Sequence, residues 1–330
     1  MAHILTFCAA NGAEIPRHPL ELLAAARALS AQWGGGQVHT LCLGPSAGSY
    51  GEELIHRGAD EVLTVECPSV EGEVALAAVE SAVQHLSPPV VLLPHDDLGG
   101  AYVGPSLAYR LGAGIATDCV GFDVRGEEVR WLRPVYGGKA MAYLRVRGPV
   151  QLATMRSRAF DPLPADPTRR GEVREFPMDW ERVRPQIRIV ERLEEKREEE
   201  LPLDRAEIIV SGGRGMGSTE GFAVLRELAQ VLGAAVGGSR PAADLGWVPH
   251  SHLVGQTGKI VAPNLYIAVG ISGAAQHITG AGSSRTIVAI NKDPDAPIFK
   301  LAHIGVVEEW EKVIPALIEA CKELRSSSPG

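Results

Sequence analysis

The sequence predicts an α/β protein of two doubly wound domains, the first of them carrying an antiparallel strand extension. Three observations predict it. Short apolar runs alternate with Ala/Leu-rich helical stretches in the first half, a run of charged residues interrupts the chain past its middle, and the alternation then starts again. A length of 330 residues is enough for two domains.

In the first half Ile4–Cys8, Val38–Leu43, Glu61–Val65 and Val90–Leu93 read as strands. Leu20–Gln32, Tyr50–Arg57, Gly72–Leu86 and Tyr102–Leu111 read as the helices between them. Leu22, Leu23, Ala26 and Leu29 recur at helical spacing, as do Val74, Leu76, Val79 and Val83. Strands joined by helical crossovers pair in parallel. The pattern then changes. Cys119–Val124, Val129–Tyr136, Lys139–Val146 and Val150–Met155 alternate or run apolar, with Arg125-Gly126 and Gly137-Gly138 as turns, which predicts an antiparallel extension.

Pro162–Asp179, rich in Pro, Arg and Asp, leads to Glu191–Glu200, a run dominated by Glu, Arg and Lys. So polar a run reads as a solvated linker. The expected organisation is an N-terminal α/β domain at 1–190, a linker at 191–204 and a C-terminal domain at 205–330. In the latter Glu207–Val210 reads as a strand, Ser211–Ser218 as a Gly-rich turn, and Thr219–Leu232 as a helix with Thr219 as its N-cap. Ala234–Gly238, Leu265–Val269 and Thr286–Ile290 read as further strands, and Glu308–Leu324 as a closing helix in spite of Pro315.

With 45% hydrophobic and 22% charged residues the chain has a globular composition. A net charge of −8 argues against nucleic acid or an anionic membrane as the main partner, since both favour a basic stripe. Cys8, Cys42, Cys67, Cys119 and Cys321 form no CxxC, and several lie in apolar runs, so they read as buried structural thiols. No apolar run approaches the roughly 18–20 residues of a membrane span. Met1–Phe7 passes directly into a strand-like run without a signal segment, which predicts the cytoplasm.

Four segments of the second half place glycines and polar residues after predicted strands: Ser211–Gly217, Gly238–Pro241, Val254–Lys259 and Ser272–His277. That edge of an open parallel sheet binds ligands, because loops converge there and helix N-termini present unpaired N–H groups. Small residues let the backbone approach a diphosphate, and Arg214 or Lys259 could neutralise it. Taken singly, each segment reads equally well as an ordinary turn, His277 as a structural histidine and Arg240 as a surface arginine. Gly213, Gly215 and Gly217 do not form G-x-G-x-x-G, since Ser218 holds the sixth position, and Gly255–Ile260 is not a P-loop. His95-Asp96-Asp97 lacks matching ligands elsewhere, so a metal site is not expected, and loop and cap roles explain the aspartates.

The stretch Leu265–Gly280 resembles the signature of electron transfer flavoprotein α subunits, and the match continues through Ile287–Asp293. Ser211–Gly215, Ser239-Arg240 and Val254–Ala262 are similar to the same family in the same order. The resemblance is strong from Glu207 to Trp310 and, in the first domain, concerns only the general layout. It implies a Rossmann-like C-terminal domain that binds FAD. Arg214 and Ser239 would lie beside the cofactor, and Arg240 over the isoalloxazine. Val254, Gly255, Gln256 and Thr257 would run along the flavin, with the Thr257 hydroxyl near N5. Ser272, Gly273, Ala274, Ala275, Gln276 and His277 would contact the diphosphate, ribityl chain and pyrimidine, with His277 near O2. Ala275 stands where the signature usually has Ile or Val. Asn291 would face the adenosine end. There Glu309, followed by Trp310, replaces the family's Asp, and His303 also stands where the family has Asp.

These residue types suit the implied chemistry. Positive charge and donors near N1, O2 and N5 make a flavin a one-electron carrier, and Arg240, His277 and Thr257 can supply them. The resemblance implies the α subunit of a heterodimer with a β subunit. It would carry electrons from acyl-CoA or related dehydrogenases, as in fatty acid β-oxidation, to a quinone reductase; it would be a carrier rather than a stand-alone enzyme. The alternative is the α subunit of an electron-bifurcating complex. The first domain would be a platform for the β subunit and bind no nucleotide, because turns such as Ala9–Gly12 lack a glycine fingerprint. A self-sufficient oxidoreductase would need an acid/base pair that is not evident, and a non-redox nucleotide module would show no flavin spectrum.

Overall fold

The computed structural model describes residues 3–136, 138, 140–181, 183, 187, 201–203 and 206–327. The chain forms two compact units, Met1–Arg192 and Leu193–Gly330. Apart from 201–203, the expected linker at 191–204 lies outside the described residues.

The first unit runs β1 (Ile4–Ala9), α1 (Arg17–Gln32), β2 (Val38–Leu43), α2 (Ala47–His56), β3 (Glu61–Val65), α3 (Gly72–Leu86) and β4 (Val90–Pro94). A π-helical turn at Gly99–Val103 leads into α4 (Gly104–Leu111). Then follow β5 (Ile115–Cys119), β6 (Gly121–Arg125), β7 (Glu128–Val135), β8 (Ala140–Arg145), β9 (Gln151–Met155) and β10 (Glu172–Glu175). Seven strands form one parallel sheet in the order β10-β3-β2-β1-β4-β9-β5, and β6-β7-β8 form a small antiparallel sheet. The sheet core has two sides because strand side chains alternate. Ile4 and Cys8 pack with Leu22, Leu23 and Leu29 of α1, whereas Leu5 and Phe7 pack with Val79 of α3 and Leu107 of α4.

Three expectations are corrected here. Val150–Met155 does not extend the antiparallel sheet: β9 lies parallel between β4 and β5, with Val90 opposite Gln151. Leu152, Ala153, Thr154 and Met155 are all buried, the near-continuous burial of a strand covered on both faces. Cys119–Val124 is not one strand, since the chain leaves the parallel sheet at Cys119 and enters the antiparallel one at Gly121. Within Pro162–Asp179, read only as an approach to the linker, β10 pairs with β3, and Arg169 holds Asp60 at 2.7 Å.

The second unit runs β11 (Ile208–Gly212), a 3-10 turn at Arg214–Met216, α5 (Thr219–Leu232), β12 (Ala235–Gly238), α6 (Arg240–Asp244) and β13 (Leu265–Val269). It ends with α7 (Ala275–Ala281), β14 (Thr286–Asn291), β15 (Ile304–Val307) and α8 (Trp310–Ser327). Its five strands are parallel in the order β12-β11-β13-β14-β15. Phe222, Leu225 and Leu228 of α5 pack with Ile314 and Ile318 of α8 on one face. Tyr266, Ala268, Ile287 and Ala289 face the other side. The α5 cap is Ser218, not Thr219: the Ser218 hydroxyl accepts the Gly221 N–H, and Thr219 is the first helical residue.

Candidate functional site at the carboxyl edge of the second sheet

From β11 the chain crosses to β12 on one side, then returns to β13 on the other. The strand order therefore reverses between β11 and β13, and a crevice opens beyond their carboxyl ends, where such sheets bind ligands. Every sequence-predicted site residue lies at this edge or in a loop tied to it. Arg214 follows β11, Ser239 and Arg240 follow β12, Ser272–His277 follow β13, Asn291 ends β14, and Glu309 and Trp310 follow β15.

Glycines bring these loops together. The Gly213 N–H donates to Val269 O at 2.8 Å and the Gly215 N–H to Gly270 O at 3.0 Å. A Cβ on Gly213 would stand 2.1 Å from that same Gly270 oxygen, so only glycine allows the β11 and β13 turns to stack. The Val254–Lys259 loop is closed on itself by Lys259 N–H to Leu253 O at 2.7 Å, and pinned to the start of α7 by Gln256 N–H to Gln276 O at 2.8 Å. This leaves Gln256 and Thr257 exposed at its tip, next to the equally exposed Ser272, Ala274, Ala275 and Gln276. Val254 and Gly255 are buried and form the floor of the loop.

The edge also holds polar atoms that the chain itself does not satisfy. His277 is buried, with Nε2 2.9 Å from the Tyr266 hydroxyl, while its Nδ1 has no hydrogen-bond partner. Burial lowers the His277 pKa to about 4, the Val254 backbone acting the other way, so the ring is neutral at pH 7. Burial also pushes the Tyr266 phenol upward, which keeps its proton in place. A phenol donating into Nε2 leaves the ring proton on Nδ1, where the Val254 backbone is a neighbouring acceptor that does not complete a full hydrogen bond with it. Ser239 Oγ is likewise buried and unpartnered. A buried polar group left unmade costs about 1–3 kcal/mol, so two at one edge indicate a ligand that completes them.

Arg240 begins α6 and is 65% exposed on its side chain, with Nε 3.6 Å from Asp244 Oδ2. Arg214 is exposed on the 3-10 turn. Asn291 serves the scaffold: Nδ2 donates to Ile271 O at 2.9 Å, and Oδ1 accepts the Asp293 N–H at 3.0 Å. Glu309 is exposed, 3.6 Å from Lys312 Nζ, and Trp310 packs into the α5–α8 core. His303 lies at the amino end of β15, away from this edge. Its Nδ1 accepts the Ile287 N–H at 3.0 Å, a role a carboxylate oxygen can also fill. Sequence reading missed Tyr266 and Asp244. A tyrosine inside a buried strand must find a partner for its hydroxyl, and that signal could have revealed the first.

In the first unit the Asp96 carboxylate caps the π-helical turn by accepting the Gly99 N–H at 2.6 Å, and His95 Nδ1 lies 2.9 Å from Thr154 Oγ1. Among the described residues no cluster of His, Cys, Asp or Glu could hold a metal ion.

The family profile "Electron transfer flavoprotein FAD-binding domain" matches residues 202–282, and the profile "Electron transfer flavoprotein domain" matches 4–179. The electron transfer flavoprotein subunit alpha of Bacillus subtilis is 39% identical over 318 residues, 96% of each chain. The chain belongs to the electron transfer flavoprotein α-subunit family. The subunit of the same name from Thermoanaerobacterium thermosaccharolyticum is 40% identical over 316 residues, 93% of each chain. Protein FixB of Clostridium saccharobutylicum is 35% identical over 329 residues, 98% of this chain and 97% of that one. As an electron transfer flavoprotein α subunit the chain binds FAD, takes part in electron transfer and pairs with a β subunit. No helix among the described residues is long and apolar enough to cross a membrane.

Proposed function

We propose that the chain is the FAD-bearing half of a carrier that takes electrons from acyl-CoA or related dehydrogenases and passes them to a quinone reductase in the cytoplasm. The observation that supports this reading best is the pair of unsatisfied buried atoms, Ser239 Oγ and His277 Nδ1, at the switch point of a parallel sheet. FAD, when bound, supplies the redox chemistry, storing electrons in its isoalloxazine ring. The chain supplies position and field. Arg214, Ser239, Val254–Thr257, Ser272–His277 and Asn291 would hold the cofactor, with Glu309 and Trp310 at its adenosine end. His277 Nδ1–H and the Thr257 hydroxyl would donate to it, and Arg240 would place a permanent positive charge beside it.

An isolated acid/base pair is not required, because a carrier makes no bonds to carbon. The proposed organisation keeps the N-terminal domain at 1–190 as a platform for the β subunit, the linker at 191–204 and the FAD-binding domain at 205–330. The exposed row Gln256, Thr257, Ser272 and Ala274–Gln276 favours a wall supplied by that partner.

The test is anaerobic mixing of the co-expressed heterodimer with an acyl-CoA dehydrogenase and its acyl-CoA substrate. Bleaching of the flavin at a saturable rate is expected. Reduction by NADH, with none through the dehydrogenase, would favour the electron-bifurcating alternative.

A further inference from the structure

We propose that Asp244 governs how strongly Arg240 acts on the bound flavin, by competing with the flavin for the guanidinium. This inference rests on the reading that places Arg240 beside the cofactor.

Helix α6 has five residues, so Arg240 and Asp244 sit at i and i+4, on one face, a single turn apart. The arrangement does nothing for the helix. Arg240 lies at the amino end and Asp244 at the carboxyl end, each at the unfavourable pole of the peptide dipoles. Nor does the contact fix the side chain. At 3.6 Å, Nε and Oδ2 attract as charges but lie beyond a good N–H···O bond, and both side chains are more than half exposed. Arg156 shows what a fixed arginine looks like in the same chain: its Nε and a terminal nitrogen reach the two Asp118 oxygens at 2.8 and 2.7 Å.

The backbone under Arg240, by contrast, is firmly set. Ser239 donates its N–H to Gly212 O at 2.9 Å, Pro241 stands in the first turn of α6, and the Ala243 N–H reaches back to Ser239 O at 3.1 Å. A charge on a long stem thus pivots from a rigid base at the sheet edge, with the Asp244 carboxylate as a counter-charge 3.6 Å away. An exposed pair of this kind is weak, which is what a competitor needs to be: it biases the guanidinium without trapping it. Asp244 is accordingly a positioning residue that acts through Arg240.

The experiment compares co-expressed heterodimers carrying wild type, Asp244→Asn, Asp244→Glu, Arg240→Ala, and Arg240→Ala with Asp244→Asn. Acid-released FAD is measured first, and the first-electron potential is then read by spectroelectrochemical titration. Asp244→Asn should raise that potential, equivalent to about a two- to fivefold gain in the equilibrium constant for taking up the first electron, the scale of an exposed ion pair. Asp244→Glu should stay near wild type, since it keeps the counter-charge. Arg240→Ala should lower the potential, and adding Asp244→Asn to it should change nothing further. An unchanged or lowered potential in Asp244→Asn, its loss of FAD, or an equal shift with and without Arg240 would overturn the inference. A wild-type heterodimer lacking FAD, or a potential indifferent to Arg240→Ala, would instead refute the underlying site.

Discussion

His277 shows how a single side chain ties stability to the site. Its folded pKa of about 4 lies below the usual histidine value of 6.5, so the unfolded chain binds the proton more readily. Stability is therefore full above pH 6.5 and falls as the pH drops from 6.5 toward 4, by about 3 kcal/mol at most. Denaturant unfolding at pH 7, 5.5 and 4.5 should show this loss, and His277→Asn should remove that part of the pH dependence. A His277→Asn protein with the wild-type slope would mean that the buried ring does not titrate this way. Thr257, exposed at the loop tip, would offer the flavin a neutral hydrogen bond. Thr257→Ala should shift the flavin potential in the same direction as Arg240→Ala but by less, because charge-assisted contacts are roughly twice as strong. At this scale the sequence points only to residues whose chemistry is visible in a motif. Tyr266 and Asp244 stayed hidden because their roles come from contacts to His277 and Arg240 that spacing alone does not reveal.

At the scale of elements, most buried parallel strands are legible, β9 reads into the wrong sheet, and the exposed edge strands β10 and β15 are missed. β2, β3 and β13 are buried almost throughout and mostly apolar, whereas β10 reads Glu-Val-Arg-Glu and is exposed throughout, and β15 is an edge strand with Ile304 and Val307 half exposed. The short helices α6 and α7 hold too few turns for a periodicity to emerge. The close approach of α7 to the Val254–Lys259 loop gives a prediction of its own. A Cβ on Gly280 would lie 2.3 Å from the Gly255 nitrogen, so Gly280→Ala must push that loop outward. The expected cost is about 1–3 kcal/mol, the range for overpacking, together with weakened FAD retention. Wild-type thermal stability and flavin content in Gly280→Ala would contradict this packing. Ser218→Ala, which removes the α5 cap, should cost about 1 kcal/mol and leave the flavin potential unchanged, a useful control for fold against function.

At the scale of the whole molecule, two parallel sheets of related winding carry different edges. In the second, stacked glycine turns, unsatisfied buried atoms and cations meet. In the first, Ala9–Gly12 supply no such fingerprint, His95 is tied to Thr154, and Asp96 is spent on a cap. The first unit should accordingly bind no nucleotide, and calorimetric titration of the flavin-loaded heterodimer under saturated β-subunit conditions should show no ADP or AMP binding that is lost on substituting His95 or Asn11. The central claim is that FAD is held non-covalently at the carboxyl edge of the second sheet, beneath a wall the β subunit supplies. Acid precipitation followed by identification of the flavin tests it most directly. The account predicts free FAD in the supernatant of the heterodimer and little flavin on the chain expressed alone. Flavin left covalently in the pellet, FMN in the supernatant, or full FAD retention by the lone chain would contradict it.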